Sequence, residues 1–186
     1  MSEPDEKAAL RRVMETQRAV AKAQSPNAPL RLRDYFLKNI EAPHGHIVAS
    51  YRAYGGEMDP TPLAEALRAQ GCVICLPIVT EASTLTFRVH DPAIPLIAGY
   101  RGIPEPPPAC PVVEPDILLV PLLAFDGALR RLGRGGGYYD RTLFALRARR
   151  KVLAVGLAYA CQEVAEVPHR PHDAKLDKVV TEIQVF

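Results

Sequence analysis

Four glycines within five residues constrain the fold of this chain more than any other feature. The segment 131–141 reads RLGRGGGYYDR, and its glycines are Gly133, Gly135, Gly136 and Gly137. An apolar run at 117–121 precedes the segment, and apolar residues at helical spacing follow it. This pattern predicts a loop that leads from a buried strand into a helix.

The composition of the loop favours an anionic ligand. Glycines allow backbone N–H groups to converge, and the positive end of the next helix adds to them. Arg131 and Arg134 can each fork onto phosphate oxygens. Neither common phosphate loop is present, because no Lys-Ser/Thr follows the glycines and Tyr138 stands where G-x-G-x-x-G requires glycine. The alternative is a flexible surface turn, which the adjacent aromatic pair Tyr138 and Tyr139 disfavours. We expect a polyphosphate.

Strand and helix patterns alternate along the rest of the chain. Helices are predicted at 6–24, 30–41, 61–70 and 140–150, and strands at 46–51, 73–79, 85–89, 116–121, 151–158 and 178–185. We therefore expect an α/β fold in one domain, residues 1–186. Its mainly parallel central sheet should carry helices on both faces, as a Rossmann-like three-layer sandwich.

The stretch 91–115 contains eight prolines, so regular structure is excluded over much of it. Its aliphatic residues make a free linker a poor interpretation. We expect a surface wrap that brings 102–106 to the rim of the site.

Bulk properties exclude several classes of protein. A net charge of +2 over 186 residues gives no argument for nucleic acid or an anionic membrane as partner. No apolar run approaches the roughly 20 residues of a transmembrane helix. The polar, acidic amino terminus does not resemble a signal peptide, so we expect a cytoplasmic location. Cys72 and Cys75 form C-x-x-C, but in a strand they would face opposite sides, so we expect reduced structural thiols rather than a zinc or redox site.

The segment 120–141, VPLLAFDGALRRLGRGGGYYDR, resembles the signature of the 5-formyltetrahydrofolate cyclo-ligase family, also called methenyltetrahydrofolate synthetases. Four weaker similarities occur in order along the chain. They are KAALR at 7–11, the segment 51–62 with Gly56-Glu57, GIPEP at 102–106, and the H-D-x-x-x-D-x-x-x-T-E pattern at 172–182.

The resemblance implies an enzyme, a ligase that forms a C–N bond. Such a ligase uses ATP and Mg²⁺ to convert 5-formyltetrahydrofolate to 5,10-methenyltetrahydrofolate, with release of ADP and phosphate. The γ-phosphoryl group would first be transferred to the formyl oxygen, and N10 would then close the ring. The partners would be these small molecules, and we expect a monomer.

Each role falls on residues of this sequence that match the family pattern. Arg134 and Tyr138 would be catalytic. ATP would contact Lys7, Arg11, Arg131, Leu132, Gly133, Arg134, Gly135, Gly136, Gly137, Tyr138 and Tyr139. The folate would contact Arg52, Glu57, Arg134, Gly135, Gly136, Gly137 and Tyr138. Asp140 and Asp173 would offer oxygen ligands to Mg²⁺.

Several of these residues have simpler interpretations. Lys7, Arg11 and Arg18 share one helical face that could be merely solvated. Glu57 after a glycine turn could also be solvated, and Asp140 could only cap its helix. Asp126 is expected to anchor the loop rather than touch a ligand.

One departure concerns Gly136, because some family members carry lysine at this position. A positive charge on the phosphate side is therefore missing or is supplied from elsewhere.

Two other functional classes remain open. One is a nucleotide- or folate-binding regulatory module without turnover, which would need no magnesium ligand. The other is a phosphosugar isomerase or acyl-transferring enzyme on a similar scaffold, and the isomerase would need no nucleotide.

Overall fold

The computed structural model describes residues 3–80 and 83–186. Its α-helices are α1 (Glu3–Gln24), α2 (Ala28–Asn39), α3 (Thr61–Ala69) and α4 (Tyr138–Arg147). Short 3₁₀ turns occur at Tyr100–Gly102 and Ala160–Gln162. None of the described helices has the length and apolar character that a bilayer crossing requires.

The strands are β1 (Ile47–Ala49), β2 (Val73–Val79), β3 (Leu85–Val89), β4 (Ile97–Ala98), β5 (Pro104–Glu105), β6 (Val112–Val113), β7 (Ile117–Pro121), β8 (Ala124–Phe125), β9 (Arg131–Leu132), β10 (Leu153–Leu157) and β11 (Lys178–Val180). Within the described residues, seven of them form one sheet in the order β11-β10-β7-β1-β2-β3-β6. The first five strands in this order are mutually parallel, and β3 and β6 add antiparallel pairs at one edge.

The central sheet is covered on both faces, which explains why its strands are apolar along their whole length. β7 buries four consecutive residues, Ile117 to Val120. One core contains residues of α2 and α3, such as Phe36 and Leu63, and the opposite core contains Leu143 of α4. The predicted α/β architecture with helices on both faces is therefore confirmed. The two cysteines point to opposite faces, as predicted, because Cys72 lies in the first core and Cys75 in the second.

Helix α1 belongs to neither layer. Its Met14 is 2% exposed and packs with Leu123, Leu132 and Val167 in a third, smaller cluster. Its basic residues reach backbone carbonyls in the segments that follow β1 and β7. The helix therefore lies across the carboxyl edge of the parallel strands.

Three local predictions differ from the structure. The segment after β7 is not a plain loop, because β8 and β9 form an antiparallel hairpin before the glycines. The last strand ends at Val180 instead of Val185, because the Thr181 hydroxyl accepts hydrogen bonds from the N–H groups of Ile183 and Gln184 and turns the chain. Helix α4 begins at Tyr138, so Asp140 lies in its first turn and does not cap it.

Candidate active site

A cleft of about 1030 Å³ opens at the carboxyl edge of the parallel strands, where open α/β sheets place their ligands. The segments after β1 and β7 form two of its walls, α1 crosses it, and the wrap 100–105 contributes to its rim. The predicted delivery of this wrap to the rim is thus confirmed. Every site residue that the sequence predicts lines the cleft: Lys7, Arg11, Arg52, Glu57, Arg131, Leu132, Gly133, Arg134, Gly135, Gly136, Gly137, Tyr138, Tyr139, Asp140 and Asp173.

The glycine loop, residues 133–137, joins β9 to α4. Gly135 has φ +95° and Gly137, the N-cap of α4, has φ +69°, conformations that favour glycine. Arg131 and Leu132, which the sequence places inside the loop, instead form β9. The loop thus starts from an ordered hairpin and ends on the positive end of a helix.

Asp126 fixes the hairpin that carries the loop. Its buried carboxylate accepts hydrogen bonds from the N–H groups of Ala128, Arg130 and Val167 and from the Arg130 side chain. Burial alone would raise the pKa of Asp126, but these hydrogen bonds outweigh it, so the pKa lies below its usual value. They also hold Leu129, which has φ +59°, in the turn of the hairpin. The predicted anchoring role of Asp126 is confirmed.

Arg131 is buried beneath the loop. One of its terminal nitrogens donates to Oδ1 of Asp140 at 2.7 Å, and its guanidinium lies 5.9 Å from the centre of the Tyr139 ring. Among the described residues, its Nε has no hydrogen-bond partner. A buried cation with an unmet donor beside a glycine loop suits an anionic ligand.

Helix α1 places two cations against the same loop. Nζ of Lys7 donates to Oδ2 of Asp173 at 2.6 Å, and Nε of Arg11 donates to the Gly133 carbonyl at 2.9 Å. The Lys7 side chain is only 11% exposed. This basic face of α1 is therefore turned toward the cleft and is not merely solvated.

Arg18 is a further buried cation of α1, with 2% of the residue exposed. Its Nη1 donates to the Leu122 carbonyl at 3.0 Å. Burial lowers the pKa of Arg18, and the nearby carboxylate of Glu57 partly opposes this effect. Its shared spacing with Lys7 and Arg11 was the signal that could have added it to the predicted site.

Glu57 and Arg134 contact one another across the cleft. Oε1 of Glu57 lies 3.2 Å from Nε of Arg134, and Oε2 accepts from the Tyr54 N–H at 2.9 Å. Arg134 also donates to the Tyr54 carbonyl, and its guanidinium lies 5.2 Å from the centre of the Tyr54 ring. Glu57 is 6% exposed, so the solvated alternative is wrong.

The two tyrosines of the loop have different environments. Tyr139 is partly buried and packs against the second core, and its desolvation together with the charge of Glu57 raises its pKa. The Tyr138 ring faces the cleft and lies 6.4 Å from the Tyr100 ring. Both tyrosines line the cleft, and of the two only Tyr138 approaches the Tyr100 ring.

Sequence reasoning missed several residues that line the cleft: Arg18, Tyr51, Tyr54, Tyr100, Arg101, Glu105, Arg141 and Arg170. Half of them (Tyr51, Tyr54, Glu105 and Arg141) lie inside the segments that resemble the family, and the other half come to the cleft only through the chain fold. His172 also lies at the rim, with 70% of its side chain exposed.

The fold and the cleft define an α/β protein with a basic, glycine-lined ligand site at the carboxyl edge of its sheet. The model of the 5-formyltetrahydrofolate cyclo-ligase family matches residues 3–182. The 5-formyltetrahydrofolate cyclo-ligase of Escherichia coli (strain K12) is 37% identical over 147 residues, which are 76% of this chain and 80% of that protein. The enzyme of the same name from Haemophilus influenzae is 34% identical over 159 residues, or 82% and 84% of the two chains.

A solved structure gives the same result. The NMR structure of Aquifex aeolicus 5,10-methenyltetrahydrofolate synthetase superposes with a TM-score of 0.79 and 30% identity, over 96% of this chain and 91% of that chain. The chain belongs to the 5-formyltetrahydrofolate cyclo-ligase family, a family of ligases.

Proposed function

We propose that this chain catalyses the ATP- and Mg²⁺-dependent conversion of 5-formyltetrahydrofolate to 5,10-methenyltetrahydrofolate, with release of ADP and phosphate. Besides family membership, one observation carries the proposal. The glycine loop and the Glu57 segment face the same cleft and touch through the Arg134–Glu57 contact of 3.2 Å. A phosphate donor on the first element and a folate on the second would therefore lie side by side.

The chemistry needs such an arrangement. The formyl oxygen on N5 is amide-like and a poor leaving group. In the proposed reaction this oxygen attacks the γ-phosphorus, and the bond from phosphorus to the bridging oxygen breaks to release ADP. N10 then bonds to the formyl carbon and loses its proton, and the phosphorylated oxygen leaves as phosphate. Such transfers require positioning and charge neutralisation more than covalent bonds to the protein.

The roles divide between the two elements. Arg134 and Tyr138 would act on the transferred group, and the loop with Lys7, Arg11 and Arg131 would hold the triphosphate. Glu57 would accept hydrogen bonds from the amino and ring N–H groups of the pterin, with Arg52 beside it. Each of these roles follows from a charge or donor that already faces the cleft.

Asp140 and Asp173 would hold Mg²⁺, which would neutralise phosphate charge. Both carboxylates line the cleft. Asp140 forms an ion pair with Arg131, and Asp173 forms one with Lys7. Within the described chain, no three His, Cys, Asp or Glu side chains are grouped for a metal. The residues fit a magnesium ion that takes one or two carboxylates and completes its shell with phosphate oxygens and water.

We further propose that residues 1–186 act as one domain and as a monomer in the cytoplasm. One chain brings α1, the Glu57 segment and the glycine loop into one cleft, which supports a monomer. The free thiols of Cys72, Cys75, Cys110 and Cys161 suit a reducing compartment.

The proposal is tested by incubating the protein with 5-formyltetrahydrofolate and measuring the rise in absorbance as 5,10-methenyltetrahydrofolate forms. The rise in absorbance should require both ATP and Mg²⁺, and one phosphate should be released for each methenyltetrahydrofolate formed. Tight binding of both ligands without absorbance growth would instead indicate a regulatory module, and growth without ATP would contradict the phosphorylation step.

A further inference from the structure

The glycine loop carries no side-chain charge at 135–137, yet two guanidiniums lie against this stretch, those of Arg11 beside Gly135 and of Arg141 beside Gly136 and Gly137. Nη2 of Arg141 donates to the Gly136 carbonyl at 2.9 Å. Nε of the same side chain donates to the Ser83 carbonyl at 2.6 Å. Arg141 lies in the first turns of α4 and lines the cleft.

The backbone of the loop accommodates this guanidinium. A Cβ at Gly137 would overlap Nη1 of Arg141, so glycine at this position provides space as well as its positive φ. The cation also lies 5.3 Å from the centre of the Tyr138 ring, which fixes its plane. Within the described part of the chain, Nη1 has no hydrogen-bond acceptor.

Among the described residues, the Arg141 guanidinium is paired with carbonyl oxygens and not with a carboxylate. A cation beside the first turn of a helix opposes the positive end of the helix dipole. The nearest anion in that turn, Asp140, is paired with Arg131 at 2.7 Å. A bound phosphate would satisfy the helix end, the loop N–H groups and the guanidinium together.

We propose that Arg141 is a nucleotide-binding residue that contacts a phosphate on the glycine loop and supplies the charge that Gly136 lacks. This inference rests on the proposed function and adds a residue to its phosphate site. It predicts that the charge, and not only the bridge between Ser83 and Gly136, determines the affinity for ATP.

The test moves the charge from one residue to another. Arg141→Met should weaken binding of both ATP and inorganic tripolyphosphate by about tenfold, measured by calorimetry, and leave the KM for the folate within twofold. Adding Gly136→Lys to this variant should restore most of the affinity. Gly136 has no positive φ, and a Cβ there would meet the edge of the Tyr138 ring at 3.1 Å, so a side chain requires a small shift of that ring but no backbone strain.

Arg147→Met is the control, because Arg147 lies on the same helix and donates to the Lys175 carbonyl and to Asp177 but does not line the cleft. Arg141→Lys keeps the charge but cannot bridge two carbonyls, and should bind ATP within about threefold of wild type.

Unchanged ATP affinity in Arg141→Met would overturn the proposal. So would a Gly136→Lys addition that restores nothing, or an Arg141→Lys variant as weak as Arg141→Met, since either result would show a purely structural bridge. If the wild-type chain bound neither ATP nor tripolyphosphate, the proposed function itself would fail along with this inference.

Discussion

The contact between Glu57 and Arg134 makes Glu57→Gln the most informative substitution in this cleft. The carboxylate accepts from Arg134 at 3.2 Å and from the Tyr54 N–H at 2.9 Å, and the residue is 6% exposed. Glutamine has nearly the same shape but exchanges one acceptor oxygen for a donor and removes the charge. In the folate complex, a donor of the variant would face a donor of the pterin.

The size of the two effects can be worked out from these contacts. A hydrogen bond to a buried charged group contributes about 1.5–3 kcal/mol, so the KM for 5-formyltetrahydrofolate should rise by about 10- to 150-fold. The ion pair to Arg134 is weaker, because the arginine side chain is 43% exposed. An exposed pair contributes about 0–1 kcal/mol, so releasing Arg134 should tighten ATP binding by at most about fivefold.

Steady-state kinetics for the folate and calorimetry for ATP measure both effects. Glu15→Gln is the control, because Glu15 also approaches Arg134, at 3.8 Å, but does not line the cleft. A wild-type KM for the folate in Glu57→Gln would refute the role of Glu57. ATP binding weakened as much as folate binding would refute the division of the cleft into two subsites.

Three further outcomes are expected. Arg134→Ala should weaken ATP binding by about tenfold through loss of a charge-assisted fork, and calorimetry showing a change within twofold would contradict this role. Removal of residues 1–12 should leave a folded but nearly inactive protein, because it deletes Lys7 and Arg11 from the cleft but keeps Met14 of the third cluster. Full activity of the truncated protein, with an unchanged circular dichroism spectrum, would contradict the role of Lys7 and Arg11. Asp126→Asn should lower the free energy of unfolding by about 3–5 kcal/mol at pH 7 in urea denaturation. The pKa of Asp126 is lower in the folded than in the unfolded state, so its carboxylate stabilises the fold above the unfolded pKa and this stabilisation is lost as pH falls through the folded pKa. The difference in unfolding free energy between variant and wild type should therefore narrow in acid. Equal stability of the two proteins at pH 7 would contradict the anchoring role.

Local patterns made much of the fold predictable. The glycine that ends α3, the apolar runs of β2 and β7 and the turn before Glu57 are short-range signals that depend on neighbouring residues. The alternation of strands and helices along the chain predicted a parallel sheet, and a parallel sheet places its ligand site at the carboxyl ends of its strands. This is why the residues predicted for the site all line one cleft even though their roles remain predictions.

The pairing of charges could not be predicted in this way. Glu57 and Arg134 are 77 residues apart, and Lys7 and Asp173 are 166 apart. No periodicity connects such positions, so the sequence did not indicate that Glu57 would pair with Arg134 or Lys7 with Asp173. The contact at 3.2 Å shows that the two predicted subsites share a side-chain pair.

The charge balance of the cleft favours an anionic ligand. Among the described residues, nine basic side chains line it (Lys7, Arg11, Arg18, Arg52, Arg101, Arg131, Arg134, Arg141 and Arg170) against four acidic ones (Glu57, Glu105, Asp140 and Asp173). The whole chain carries a net charge of only +2, so its positive charge is concentrated at this edge of the sheet. Gathering like charges in one cleft costs free energy, and a bound polyanion would offset part of that cost. The three glycines at 135–137 place no side chain in the cleft, and the excess of cations along its walls supports the proposed triphosphate site.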